Sequence, residues 1–245
     1  MMGLLSFAGL ESGYNQSFRL ISEANVKYGE YKSLLNTLEF DASFFLDSVL
    51  LTESYKSTQI EGTQISQDEM YYLKYLENTD DNREIQNLKK TIEYASEHLN
   101  SNKFINYELV NVALSHMQFE TIHAYKDGNG RQGRALIPVQ MSLLDDSTPM
   151  LYMSEILELY KPAYQRNLME CRKGNVAGYI KFFLQCVIDQ CNAYIYKLEK
   201  IKEIYKEDMK AIQAIKGNSV YRIMPVIMKQ IVFTKKRYRH CPVYQ

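Results

Sequence analysis

Between positions 123 and 134 the chain sets His123, Asp127, Gly128, Asn129, Gly130, Arg131 and Arg134. That stretch gathers a base, a carboxylate, a glycine-flanked amide and two guanidinium groups, which together suit the handling of a nucleoside triphosphate. Gly128 and Gly130 have no Cβ, so the backbone between them can turn with positive φ and aim successive N–H groups at an anion. The apolar run that follows, Ala135, Leu136, Ile137, Val139, Met141, Leu143 and Leu144, predicts a helix beginning near Arg131. The N-terminus of that helix adds partial positive charge at the same place. Arg131 and Arg134 stand three apart, share a face of the first helical turn, and can each fork onto phosphate oxygens. Asp127 beside them is a hard oxygen ligand suited to Mg²⁺ shared with phosphates. His123 brings an imidazole, a side chain whose free form titrates at roughly 6.5 and can take a proton from an attacking hydroxyl at neutral pH.

Simpler explanations compete. Asp127 to Gly130 is also the sequence of a tight exposed turn, but a turn alone has no use for His123 and the two arginines. A calcium loop with Gly130 as its sixth position needs an acid where Tyr125 stands and a Glu where Leu136 stands. A Walker-type phosphate loop aligns from Gly128 to Gly133, but the Lys and Ser/Thr that should follow are Arg134 and Ala135. His116 lies two helical turns before His123 with no third ligand in view, so it is expected to be a core or hydrogen-bonding histidine.

The elements that must position this stretch are helical. Residues 84 to 99, 107 to 125 and 179 to 206 carry apolar side chains at i, i+3, i+4 and i+7, with glycine and proline scarce between them. Strand-like alternation is almost absent, and neither repeats nor low-complexity tracts are visible, so the expected class is all-α. Pro138 falls about two turns into the helix after the loop and should kink or loosen it. A chain of 245 residues with 46% hydrophobic content can bury a substantial core in one main domain. Its 29 basic and 29 acidic residues cancel, so no global electrostatic search for nucleic acid or membrane is implied. Cys171, Cys186, Cys191 and Cys241 are too few and too irregularly spaced for a disulfide framework or a zinc site, and are expected to be reduced. The first ten residues lack a basic start and an adequate apolar stretch, and no later run is long enough to span a bilayer. The expected location is cytoplasmic.

Residues 123 to 134 resemble the signature of the Fic family, His-Pro-Phe-x-Asp/Glu-Gly-Asn-Gly-Arg-x-x-Arg, at His123, Asp127, Gly128, Asn129, Gly130, Arg131 and Arg134. Ala124 stands for the usual Pro and Tyr125 for Phe. Tyr for Phe is expected to keep an aromatic anchor for the loop, and Ala for Pro removes a φ restraint. Upstream, Ser57, Thr58, Gln59, Ile60, Glu61 and Gly62 resemble the inhibitory motif Ser/Thr-x-x-x-Glu-Gly/Asn found N-terminal to the core in many members. Residues 84 to 88, 115 to 122 and 179 to 184 add to a resemblance that covers roughly residues 45 to 200.

The resemblance implies a Fic-fold helical bundle that is a protein adenylyltransferase, moving AMP from ATP, with Mg²⁺, onto a Ser, Thr or Tyr hydroxyl. The target would be another protein or the chain itself, possession of both arginines favouring AMP transfer over the inverted orientation of Doc-like phosphotransferases. It assigns His123 as general base and Asp127 as the metal ligand. The amides of Gly128 to Gly130 with Asn129 would cradle phosphate oxygens, and Arg131 and Arg134 would neutralise the outer phosphates. By the same resemblance Glu61, with Ser57 and Gly62 around it, would bridge to Arg134 and restrain the chain.

Three regions are implied: a helical segment over 1–45, the Fic domain with its inhibitory helix over 46–205, and a truncated winged-helix-like tail over 206–245. Two features depart from the family pattern. Only residues 100 to 105 separate two helical patterns where relatives carry a β-hairpin flap that aligns a target by strand addition. Residues 218 to 234 resemble the opening of a winged helix, but only the basic run Lys235, Lys236, Arg237, Tyr238, Arg239, His240 and a few residues follow. A catalytically weak nucleotide-binding module, or a DNA-linked regulator, are therefore the alternative functions. A homo-oligomer is compatible with all three, and nucleic acid is the least favoured partner.

Overall fold

Apolar residues spaced three and four apart become one buried stripe in the longest helix, where Tyr179, Phe183, Leu184, Val187, Cys191, Tyr194 and Leu198 are all buried. The computed structural model describes residues 7–62, 80–98, 109–144 and 147–213. Within them the chain forms α1 (Phe7–Asn36), α2 (Ser43–Glu61), α3 (Asp80–His98), α4 (Leu109–Ile122), α5 (Asn129–Leu144), α6 (Ser154–Leu159), α7 (Lys161–Arg172) and α8 (Val176–Gln213). No strand occurs among the described residues, so the fold is all-α.

Helix α1 runs against α8, while α2 packs on α6, α3 and α5. Helix α4 lies against α5, α7 and α8. The seam between α1 and α8 is aromatic: the Tyr31 ring sits 5.3 Å from Tyr194, and Phe45 of α2 meets Tyr194 edge-on at 5.6 Å. Both tyrosines keep their hydroxyls satisfied, Tyr31 donating to the Met150 carbonyl at 2.8 Å and Tyr194 to the Tyr152 carbonyl at 3.2 Å.

Helix α2 is pinned from beneath by a buried acid. Both Glu53 carboxylate oxygens are engaged by Ser154, one by its backbone N–H at 2.7 Å and the other by its hydroxyl at 2.6 Å. These donors stand at the start of α6, where a helix leaves N–H groups without partners. Burial nevertheless pushes the Glu53 carboxyl up to about 7. Lys56 reaches Glu158 on the same side at 3.3 Å.

The helix boundaries differ from the sequence pattern where the backbone turns. Apolar periodicity runs to residue 125, yet α4 stops at Ile122 because His123 takes φ 49°. Helix α5 begins at Asn129, two positions before expected: Gly128, at φ 82°, offers its carbonyl to Gln132 N–H at 3.0 Å and so closes the first turn earlier. Pro138 is buried inside α5, and the helix continues past it to Leu144. Its missing N–H removes the i+4 donor that the Arg134 carbonyl would otherwise meet.

Cys171, Cys186 and Cys191 are buried free thiols. No helix among the described residues is long and apolar enough to cross a membrane. The residues read as a shortened flap connection and as a winged-helix-like tail with its basic run, the extreme N-terminus and Cys241 lie outside the described residues.

Candidate functional site

The loop of residues 123 to 128 leaves the end of α4 and enters the start of α5, so two helices fix its ends. His123 is exposed and in the left-handed region, uncommon for a side-chain-bearing residue, and its N–H still reaches back to the Phe119 carbonyl at 3.2 Å. The imidazole therefore sits where the helix ends and solvent begins.

Asn129 holds the loop in shape. Its side-chain oxygen accepts the Tyr125 N–H at 2.9 Å and its amide nitrogen donates to the Tyr125 carbonyl at 2.6 Å. Asn129 is 2% exposed, so both ends of its amide are spent on the loop. A buried amide must be matched by partners, and the loop backbone supplies them first. Tyr125 is 53% exposed, not packed as the expected aromatic anchor, and the anchoring at this position is done through its backbone by Asn129.

The two arginines of α5 do not converge on one point. Arg131 pairs with Glu84 of α3 and lies 3.3 Å from the Asp127 carboxylate. Arg134 turns to α2: Nε donates to the Ser57 hydroxyl at 3.0 Å, and Nη2 donates to the Ser57 carbonyl at 2.8 Å and to Glu61 Oε1 at 2.7 Å. Its side chain is 2% exposed while that of Glu61 is 42% exposed, so the ion pair joins a dehydrated cation to a half-wet anion. Burial works against the Arg134 charge, but Tyr164, Glu61 and Glu120 around it more than offset that.

Glu61 is the last residue of α2, and Gly62 ends the helix at φ 110°, its N–H returning to the Gln59 carbonyl at 3.1 Å. Gly130 is where the two elements meet. A Cβ there would run into Glu61 Oε1 and approach Arg134 Nη1 to 2.9 Å, so only glycine admits the carboxylate this close to α5. One turn on, a Cβ at Gly133 would strike the Glu120 carboxylate, which marks the close crossing of α4 and α5.

Beneath Arg134 lies a buried polar cluster that the spacing of the motif did not disclose. Glu120 is 6% exposed, and its Oε1 has no hydrogen-bond partner. Burial raises its pKa, opposed by the Arg134 charge. His116, as expected, is a hydrogen-bonding core residue, 2.9 Å from the Tyr164 hydroxyl through Nε2. Burial, helped by the Arg134 charge, lowers its pKa to about 3, so the ring is neutral at physiological pH. A signal did exist in the sequence: His116 and Glu120 are four apart on the face that carries Leu109, Val112 and Ala113, a polar pair on an apolar stripe. Glu53, Tyr164 and Arg172 had no local signal at all, and Glu84 had only its place in a stretch that adds to the resemblance.

Asp127 is suited to only part of a metal shell. Its side chain is 91% exposed; one oxygen takes the Gly128 N–H at 2.7 Å and the other faces Arg131. No group of three or more His, Cys, Asp or Glu side chains that could hold a metal occurs among the described residues. A single exposed carboxylate fits Mg²⁺, which keeps several waters and shares substrate phosphates, and does not fit a metal held by protein ligands alone.

Two family models match the chain. One, described as the Fic/DOC family N-terminal region, matches residues 18–97, and the other, described as the Fic/DOC family, matches residues 58–141. The first takes in α2 with Ser57, Glu61 and Gly62, and the second contains the whole loop from His123 to Arg134.

Proposed function

The chain belongs to the Fic/DOC family, and we propose that it is a self-restrained protein adenylyltransferase, transferring AMP from ATP to a Ser, Thr or Tyr hydroxyl of a protein. His123 takes the hydroxyl proton as that oxygen bonds to the α-phosphorus; the bond from the α-phosphorus to the bridging oxygen breaks and pyrophosphate leaves. A well-placed general base of this kind contributes roughly 10²–10⁴ in rate. The N–H groups at the start of α5 and the Gly128 turn face the phosphates, and Arg131 and Arg134 balance their charge. Mg²⁺ held by Asp127 would supply further charge neutralisation between phosphate oxygens.

The observation that carries this reading is the Arg134 guanidinium, beside Gly130 of the glycine loop and bound by Ser57 and Glu61 of α2. A cation meant for an outer phosphate is thereby satisfied by a carboxylate of the chain itself. Glu61 in that position leaves ATP without its arginine, so the nucleotide binds in a pose unsuited to in-line attack. Restraint and activity then share one side chain.

The test is incorporation of label from α-³²P-ATP into protein, in the purified chain and in a cell lysate with Mg²⁺, for wild type, Glu61→Gly and Glu61→Gly/His123→Ala. The expected result is label that rises with Glu61→Gly and disappears with His123→Ala. A second reading, nucleotide binding without efficient transfer, is favoured by the short link between His98 of α3 and Leu109 of α4. ATP binding with no label in any variant would establish that reading instead.

A further inference from the structure

In an uninterrupted helix the Glu120 carbonyl would accept the N–H of Ala124. The chain leaves the helix at His123, whose φ of 49° turns the backbone away, so this carbonyl loses its partner at the point where the imidazole is presented. Arg172, the last residue of α7, supplies the replacement: its Nη2 donates to the Glu120 carbonyl at 2.7 Å. Its Nη1 rests 3.8 Å from Met169 Sδ, one turn back on the same helix, which orients the guanidinium toward α4. A cation at a helix C-terminus is favoured by the helix dipole and can satisfy the terminal carbonyls. A non-glycine residue at positive φ is a conformation that surrounding structure must hold in place.

We propose that Arg172 is a positioning residue for His123: by taking over the Glu120 carbonyl it stabilises the abrupt end of α4 and fixes the direction in which the imidazole leaves the helix. The role in catalysis rests on the reading of His123 as the general base, but the structural role does not. Arg172 is exposed, so replacing it opens no cavity. Nothing in the loop motif itself identifies this residue, which lies on a different helix 52 positions after its partner.

The experiment uses the full chain carrying Glu61→Gly, alone and with Arg172→Ala or Arg172→Lys, and reads amide hydrogen exchange, the His123 ring resonances and steady-state AMP transfer. With Arg172→Ala the amides of Ile122 and His123 should exchange about tenfold faster while those of α8 hold. The His123 ring signals should move or broaden, and kcat should fall about tenfold with KM for ATP nearly unchanged, since a misplaced base costs rate and not nucleotide affinity. Arg172→Lys should recover part of each effect. Unchanged exchange and unchanged ring signals would overturn the proposal, as would a change confined to KM for ATP. If Glu61→Gly alone transfers no AMP, the adenylyltransferase reading fails, and exchange with the ring signals still decides whether Arg172 positions His123.

Discussion

Replacing Glu61 by Ala tests the restraint through two quantities that must agree. A fully buried ion pair broken on one side costs about 3–5 kcal/mol, whereas a surface pair is worth about 0–1 kcal/mol. The pair here lies between these limits, with Arg134 2% exposed, Glu61 42% exposed and a separation of 2.7 Å. Arg134 also keeps both contacts to Ser57 when the carboxylate is gone. The expected loss of stability is therefore about 1–2 kcal/mol, between the two limits and in the range of a charge-assisted hydrogen bond. The same free energy is what a phosphate must overcome to claim the guanidinium, so relief of it should raise AMP transfer at low ATP by about 5–30-fold. Urea unfolding gives the first number and initial rates of label incorporation the second. A stability loss of the expected size with no gain in transfer would refute competition for Arg134 as the basis of the restraint. A far larger gain with unchanged stability would mean that Glu61 acts by some other route.

Gly130→Ala should drive the Glu61 carboxylate away from Arg134, because the new Cβ would occupy its place; the expected loss is that of the pair, about 1–2 kcal/mol, and in a double-mutant cycle Glu61→Ala should cost almost nothing further once Gly130→Ala is present. The pH dependence of stability should contain two opposing contributions. Glu53 has its folded pKa raised from 4.5 to about 7, so its contribution is full below 4.5 and is lost as pH rises to 7. His116 has its folded pKa lowered from 6.5 to about 3, so its contribution is full above 6.5 and is lost as pH falls toward 3. Between 4.5 and 6.5 the two slopes oppose each other. Urea midpoints across this range should fall more steeply toward acid in Glu53→Gln, and toward neutral pH in His116→Gln; identical profiles in all three proteins would contradict both assignments.

Helices α3, α4 and α8 were legible because their apolar residues repeat at 3.6-residue spacing, and the loop because its residue types are local and contiguous, whereas α6 and α7 were not singled out. Helix ends were less so, since they depend on single backbone angles such as that of His123, which periodicity does not encode. The contact between Glu61 and Arg134 joins residues 73 apart, and only the family resemblance, not any physical pattern, placed them together. Glu53 and Ser154, 101 apart, had not even that. The role of the Asn129 side chain was not legible because its type suits phosphate binding and loop bracing equally, and only its burial decides between them. Tyr125 was misjudged for the converse reason, that aromatic character says nothing about which way a ring faces once the backbone is held by something else.

The bracing of residues 125 and 129 has a consequence for how this loop can change over generations. Between residues 125 and 129 its curvature is held by one amide and the backbone of one residue, four positions apart. The loop therefore carries its own former and borrows none of its shape from the ring at 125 or from a rigid residue at 124. A change of either side chain should therefore leave unbent the path on which His123 and the first turn of α5 depend.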